Sequence, residues 1–197
     1  TNYDDEFNDE LNFVIATQFV VTATNPWNAS ANANTYLNSF TSWGNGGGFG
    51  VVYDVAGCWT NINFNGSTIG IAWLNGICNN SRYHVNQDFN SNMSLLRVLW
   101  AHELGHNFSC THDPSGSNTI MAPAVSGATQ WSNQSQSQVN SYVPTRGCLT
   151  ACVGVLPPVA AFLVQPSVGC VPMTVTCTDQ STNGPTSWSW TVMLNGT

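Results

Sequence analysis

The chain is poor in charged side chains. Only 7% of its 197 residues are Asp, Glu, Lys or Arg, and three of these are basic. Binding to nucleic acid or to an anionic membrane surface depends on clustered Lys and Arg, so neither partner is expected. The sequence also lacks an apolar run of about eighteen residues, the length that begins to span a bilayer. We therefore predict no membrane insertion.

Other signals are absent as well. No basic segment followed by an apolar one opens the chain, which begins with Thr1 and Asn2 and is typical of a processed mature product. The glycine-rich residues 44–48 lack the Gly-Lys-Ser/Thr ending of a phosphate loop. None of the seven cysteines is arranged as a metal knuckle. This pattern favours disulfides and secretion into an oxidising extracellular environment.

Cysteine pairing cannot be deduced from sequence alone, but proximity along the chain narrows it. One cysteine of the seven is left over, most simply one of the pair at positions 148 and 152, or a cysteine of the tail. The expected bridges, in order of preference, are Cys58 with Cys78, Cys110 with Cys148 or Cys152, and Cys170 with Cys177.

What the sequence does contain is a predicted helix at residues 92–108 that carries His102, Glu103 and His106. The two histidines lie on one helix face about 6 Å apart along the axis, so both imidazoles can reach one metal ion. Glu103 lies beside that metal without pointing at it, which suits a base that takes a proton from a metal-bound water. The spacing is H-E-x-x-H.

A third histidine, His112, follows His106 by six residues. A continuing helix would place it on the wrong face, so we expect the chain to leave the helix near Ser109 and turn back. Three neutral imidazoles with one open position are typical of a catalytic zinc site, because structural zinc sites are normally closed by four ligands and rich in cysteine. The pattern therefore indicates a hydrolase.

Residues 102–113, together with Ile-Met-Ala-Pro at positions 120–123, resemble the metzincin zinc endopeptidases. The aspartate after the third histidine and the Met-Ala-Pro sequence resemble the adamalysin or reprolysin branch. The resemblance implies a catalytic Zn²⁺ and a precursor with a signal peptide and an inhibitory propeptide. The zinc ligands that it implies are His102, His106 and His112.

The resemblance further implies that Glu103 is the general base and acid, and that Met121 forms a hydrophobic floor beneath the metal. Ser109 departs from the family motif, which has glycine at the helix exit, where a positive φ is commonly needed. A residue with a side chain is tolerated there at about 1–2 kcal/mol. The departure therefore bears on local geometry more than on zinc binding.

A strand predicted at residues 69–74 also has a counterpart in this family, where a Gly-Ile-Ala strand forms the upper rim of the cleft and pairs with the extended substrate. Main-chain hydrogen bonds then supply affinity, and pockets beside the strand supply selectivity. The alternative is an ordinary edge strand. The corresponding residues are Ile69, Gly70, Ile71, Ala72 and Trp73.

His84, the one histidine outside the zinc motif, is predicted to be a surface or structural residue, with a role in the cleft as the alternative.

Hydrophobic patterning predicts the remaining elements. Residues 11–22 form an apolar run typical of a strand buried on both faces. The acidic residues 1–10 are expected to be a solvated arm, with a calcium site as the alternative. Further strands are predicted at residues 51–55 and 82–86, and further helices at residues 29–43 and 130–142.

We therefore predict an α/β (α+β) metzincin-like protease domain at residues 1–152, with a mixed, mainly parallel sheet. A linker at residues 153–158 and strands at residues 159–197 follow, and the latter resemble the first half of a PKD-type immunoglobulin-like sandwich. The expected function is that of a secreted, monomeric zinc endopeptidase acting on extracellular proteins or peptides. The alternative is a catalytically inactive zinc-fold binding or adhesion module, which would not need Glu103.

Overall fold

The computed structural model of the chain describes residues 6–7, 11–150, 159–166, 168 and 174–182. The chain divides into two compact units, Thr1–Ala151 and Cys152–Thr197. The described elements of the first unit are α1 (Ala33–Asn45), β1 (Ala56–Thr60), β2 (Gly70–Ala72), β3 (Tyr83–Gln87), α2 (Met93–Asn107) and α3 (Asn133–Tyr142), with a 3-10 turn at Val143–Thr145.

The three strands form a mixed sheet in the order β1-β3-β2. Strand β1 is parallel to β3, whereas β2 is antiparallel to it. The mixed sheet is confirmed, but its one parallel and one antiparallel pair do not make it mainly parallel. All five residues of β3 are buried, because this central strand is covered on both faces.

Helices cover the two faces of the sheet. Tyr36 and Phe40 of α1 pack on one face in a cluster that includes Val85. On the other face α2 approaches so closely that a Cβ on Gly57 would lie 2.3 Å from the ring of Trp100. Only glycine fits this position of β1 without displacing the helix.

The predicted helices are confirmed with shifted ends. Each begins at a polar residue whose side-chain oxygen accepts a hydrogen bond from an amide of the first turn, which is the reason the helix starts there. These capping residues are Asn32, Asn92 and Ser132. None of the helices in the described part of the chain has the length and apolar character needed to cross a membrane.

Two predicted strands are wrong. Residues 11–22 form no strand, and their apolar side chains are largely exposed, with Val14 at 91% and Ile15 at 84%. Apolar composition alone does not make a strand, which needs a partner for its backbone hydrogen bonds. Residues 51–55 are also irregular, and the strand follows them as β1, where Ala56, Cys58 and Thr60 alternate toward the core.

The expected disulfides are also wrong. Cys78 pairs with Cys148, at a Cα–Cα distance of 5.5 Å. Cys58 belongs to the hydrophobic cluster around α1, whereas Cys78 packs against a different cluster, which includes Leu104 of α2, so these two close neighbours in sequence lie in different parts of the core. Cys110 is buried and unpaired, and Cys177 is exposed and unpaired, which excludes the second and third expected bridges.

The second unit contains one antiparallel pair among its described residues, β4 (Phe162–Gln165) with β5 (Thr176–Asp179). An isolated bridge joins Val159 to Thr182. Residues 169–173 and 187–192, where further strands are predicted, lie outside the described residues. One strand pair does not establish a PKD-like sandwich.

The acidic terminus is described only in part. Positions 4, 5, 9 and 10, four of the carboxylates considered for calcium, lie outside the described residues. Glu6 accepts hydrogen bonds from the amide of Trp131 (2.9 Å) and from the side chain of Gln136 (3.3 Å). Its carboxylate therefore contacts the start of α3.

Candidate active site

Two histidines project from α2 with their ring orientation fixed by backbone carbonyls. Nδ1 of His102 lies 2.8 Å from the carbonyl oxygen of Ile120, and Nδ1 of His106 lies 2.7 Å from that of Cys110. A carbonyl oxygen can only accept, so each Nδ1 carries the proton and each Nε2 presents a lone pair. Both rings are thus prepared as metal ligands.

The chain leaves α2 through Ser109, whose φ is 82°. Its amide donates to the carbonyl of His106 (3.0 Å), and the amide of Cys110 donates to that of Gly105 (2.9 Å). These two bonds form the Schellman motif, in which the first residue past the helix cap adopts the left-handed conformation. The chain therefore leaves the helix at Ser109, as expected, although this position carries a serine where glycine is usual.

This turn brings His112 back to the other two histidines. The ring nitrogens of the three lie within 4.8 Å of one another, and Nε2 of His102 is 3.1 Å from Nε2 of His112. Burial lowers the pKa of His102 to about 4 and also lowers that of His106, which keeps both rings neutral. Among the described residues these three imidazoles form a group without a fourth protein ligand, which fits a zinc ion with an open position.

Met121 packs against α2 and is fully buried. Its sulfur would lie 2.7 Å from a Cβ on Gly105, so the close approach of the methionine to α2 requires glycine there. The ring of Trp131 would lie 3.0 Å from the same Cβ. The predicted floor residue is therefore placed against the helix that carries the histidines.

Asp113 is a residue of the site whose role the sequence did not predict. It is buried, and its carboxylate accepts hydrogen bonds from the hydroxyls of Thr119 (2.5 Å) and Ser132 (2.6 Å). Its amide donates to the carbonyl of Met121 (2.9 Å). Asp113 thus joins the segment after His112 to the methionine turn and to the cap of α3. In the sequence, Asp113 is followed by loops rich in hydroxyl side chains, but this pattern does not identify which hydroxyls bind its carboxylate.

Glu103 lies on α2 between the two histidines and is 5% exposed. Its carboxylate faces the start of β2, where a Cβ on Gly70 would lie 2.3 Å from Oε1. Burial raises the pKa of Glu103 to about 8. The glycine at the start of β2 therefore makes room for a carboxylate with high proton affinity.

A cleft of about 570 Å³ lies between α2 and β2. It is lined by the three histidines, by Glu103, and by apolar residues that include Leu99 of α2 and Val125. Four of the predicted rim residues line it: Ile69, Gly70, Ile71 and Ala72. Trp73 does not, because its indole donates to Thr41 (2.9 Å) on the α1 side of the sheet.

His84 lies outside the cleft. It is fully buried, and its ring packs edge-on against Trp100 at a centroid distance of 4.7 Å. Nδ1 lies 2.8 Å from Oδ1 of Asn107. The structural interpretation of His84 is therefore the correct one, but the residue is buried and not on the surface.

Comparison with known proteins relates this geometry to a family. Residues 1–147 match the reprolysin-type model of metallo-peptidase family M12. Kaouthiagin, a hemorrhagic metalloproteinase-disintegrin-like protein of Naja kaouthia, is 39% identical over 66 residues, which are 34% of this chain and 16% of the relative. Snake venom metalloproteinase TM-1 of Protobothrops mucrosquamatus is 44% identical over 66 residues, 30% of this chain and 32% of the relative. The matched part of the chain thus spans no more than a third of these relatives.

Proposed function

The chain belongs to metallo-peptidase family M12, and from this premise we propose that it is a zinc-dependent endopeptidase that hydrolyses peptide bonds in extracellular proteins. One observation carries the proposal. Three imidazole nitrogens converge within 4.8 Å beside a buried glutamate, on one wall of a cleft whose opposite wall is an edge strand. Such a site combines a metal, a base and a place for an extended peptide.

In this proposal His102, His106 and His112 hold the zinc ion. When bound, zinc supplies Lewis-acid chemistry, polarising a carbonyl group and lowering the pKa of a water molecule toward about 7. Glu103 accepts a proton on its carboxylate and returns it to the leaving amine. Burial raises its pKa to about 8, while the positive charge of a bound ion favours the ionised form that a base needs.

The substrate in this proposal is an extended peptide that adds to the free edge of β2 (Gly70–Ala72). Among the described strands β2 pairs only with β3, and its three residues line the cleft. The backbone of β2 supplies the main-chain hydrogen bonds, and apolar cleft residues such as Leu99 receive side chains. Within the predicted rim, Trp73 is the exception, because its indole donates to Thr41, its amide donates to the carbonyl of Tyr83 (3.2 Å) and its carbonyl accepts from Asn107 (2.8 Å).

Secretion, a precursor with an inhibitory propeptide and a monomeric state belong to the same proposal. The disulfide between Cys78 and Cys148 supports secretion, because such bonds persist in oxidising compartments. A relative named as a snake venom metalloproteinase supports it as well.

The second unit is proposed to be a separate module, reached through a linker at residues 153–158 and resembling the opening half of a PKD-type sandwich. The antiparallel pair of β4 and β5 supports a β-module. Limited proteolysis followed by amino-terminal sequencing tests the division. Cleavage within residues 153–158 is expected, and cleavage confined to other segments would contradict the boundary.

The enzymatic proposal is tested by casein hydrolysis with and without a chelator, with zinc content measured in parallel. Glu103→Gln should retain zinc but lose about 10²–10⁴-fold in activity, which is the usual contribution of a general base. Asp88→Asn, a neutralised carboxylate on the surface, is the matched control and should act as the wild type does. A protein that holds zinc but cleaves nothing, or a fully active Glu103→Gln variant, would favour an inactive binding module instead.

A further inference from the structure

Helix α2 has a second pair of side chains, Glu103 and Asn107, four residues apart on the face that lies against β2. Glu103 meets the start of the strand, where only the absence of a Cβ on Gly70 allows the contact. Asn107 meets its end, where Nδ2 donates to the carbonyl oxygen of Trp73 at 2.8 Å. Strand β2 thus lies close to the helix at its start and is hydrogen-bonded to the helix just past its end.

Asn107 is fully buried, and its whole amide group is engaged. Nδ2 donates to the carbonyl of Trp73 and also to that of Tyr83 (3.1 Å), while Oδ1 lies 2.8 Å from Nδ1 of His84. The backbone carbonyl of Asn107 accepts from the amide of Gly76 (3.0 Å). One side chain therefore connects α2 to the end of β2 and to the start of β3.

The hydrogen-bond directions follow from this arrangement. Because Nδ2 of Asn107 donates to two carbonyls, Oδ1 is the acceptor, and Nδ1 of His84 must carry the proton. The two backbone carbonyls exclude an inverted amide, which would turn Oδ1 toward two other acceptors, and His84 completes this orientation by donating to Oδ1. Nε2 of His84, sealed near Gly57 and Trp100, has no hydrogen-bond partner among the described residues.

The buried environment keeps this histidine neutral. Burial lowers the pKa of His84 to about 4. A neutral ring that offers a single N–H group can orient the amide of Asn107 without introducing a charge beneath the cleft. The ring does not line the cleft, so its contacts give it no direct role there.

We propose that Asn107, oriented by His84, is a positioning residue that fixes the distance between the rim strand β2 and Glu103. The inference rests on the proposed function, because the separation of β2 from α2 determines where a peptide lies relative to the base. β2 has three residues. Without the bond to Trp73, its end would be held by its ladder with β3 and by the following turn.

Two variants of His84 distinguish the effect of losing its hydrogen bond to Asn107 from the effect of changing the side-chain volume. His84→Leu fills much of the space of the ring but donates nothing, whereas His84→Asn is smaller but places an amide N–H near the position of Nδ1. Tyr53→Phe is the matched control. It removes a 2.6 Å hydrogen bond to Tyr83 and leaves Asn107 untouched.

Amide hydrogen exchange in the full chain gives a readout independent of activity. In His84→Leu the peptide covering residues 69–74 should exchange about tenfold faster, since a lost buried hydrogen bond corresponds to about 1–3 kcal/mol. The peptide covering α3 should not change. His84→Asn and Tyr53→Phe should exchange at residues 69–74 as the wild type does.

Kinetics with a fluorogenic peptide then tests the consequence for the cleft. His84→Leu should raise KM about tenfold with kcat within about twofold and unchanged zinc content, and His84→Asn should restore KM. The inference is wrong if His84→Leu matches the wild type in exchange and KM, or if His84→Asn is impaired as much as His84→Leu. A wild-type chain that cleaves no peptide would instead refute the proposed function, and the exchange comparison would still decide this inference.

Discussion

The end of α2 permits a direct test of how the sequence forms the site. Ser109 has a φ of 82°, in the left-handed region that a residue with a Cβ adopts at a cost of about 1–2 kcal/mol. Glycine avoids this penalty but loses more conformational entropy on folding, about 0.5–1 kcal/mol. We therefore expect Ser109→Gly to raise the free energy of unfolding by about 0.5–1 kcal/mol.

A gain of this size raises the melting temperature by about 1–4 °C in a domain of about 150 residues. Thermal unfolding should be followed through the transition that a zinc chelator shifts, because that transition reports the unit that carries the histidines. The matched control is Ser137→Gly, the same substitution at an exposed position inside α3. There glycine is less favourable than serine by about 0.5 kcal/mol, so the melting temperature should fall.

Opposite signs for the two glycine variants, with zinc content unchanged in both, are the expected result. A Ser109→Gly variant less stable than the wild type would refute the reasoning. So would equal shifts for both variants, because the effect would then come from glycine in general and not from the left-handed backbone at Ser109.

Three further predictions concern the walls of the cleft and its support. Gly70→Ala should lower kcat at least about tenfold with zinc retained, because the added carbon would lie 2.3 Å from Oε1 of Glu103 and displace the carboxylate. Asp113→Asn should lower the free energy of unfolding in urea by about 2 kcal/mol, since two half-buried hydroxyls lose a charged acceptor. In the wild type, the pKa difference of His84 should lower the free energy of unfolding by about 2 kcal/mol as the pH falls from about 7 to about 4.5. Its folded pKa of about 4 lies below the ordinary value of about 6.5, so the unfolded chain binds the additional proton in this window.

Each of these predictions has its own contrary outcome. Gly127→Ala, at an exposed glycine with open space around it, is the control for Gly70→Ala. Equal kcat in the two would show that Glu103 is not displaced. An Asp113→Asn variant as stable as the wild type would mean that the two hydroxyls bind a neutral acceptor equally well. For His84, the same pH dependence in wild type and His84→Asn would mean that other groups cause the loss.

The metal-binding helix was predictable because its spacing is local. Residues 92–108 were predicted as helix, and α2 spans Met93–Asn107. Helix periodicity alone places His102 and His106 on one face. The return of His112 required one further inference, that the chain leaves the helix near Ser109, and the positive φ at this residue is the feature that makes the return possible.

Features that depend on partners distant in sequence were beyond such reasoning. The apolar residues 11–22 had the composition of a strand, yet no strand of the described sheet pairs with them. Cys58 and Cys78 are close in sequence but pack in different hydrophobic clusters. Likewise, the partners of Asp113 come from the methionine turn and from the start of α3. Sequence proximity does not report any of these contacts.

Helix α2 carries the histidine pair and also contacts the rim strand β2, because its two side-chain pairs are offset by a single residue. The histidine pair at positions 102 and 106 and the pair at positions 103 and 107 each span one turn, and the two pairs point about 100° apart. The metal-binding face and the rim-binding face therefore meet nearly at a right angle, and Glu103 stands where they meet. A rotation of α2 that improved the metal site would move Asn107 away from Trp73. The contact of Asn107 with the rim thus opposes rotation of α2 about its axis, and the two requirements are satisfied by the same register of the helix.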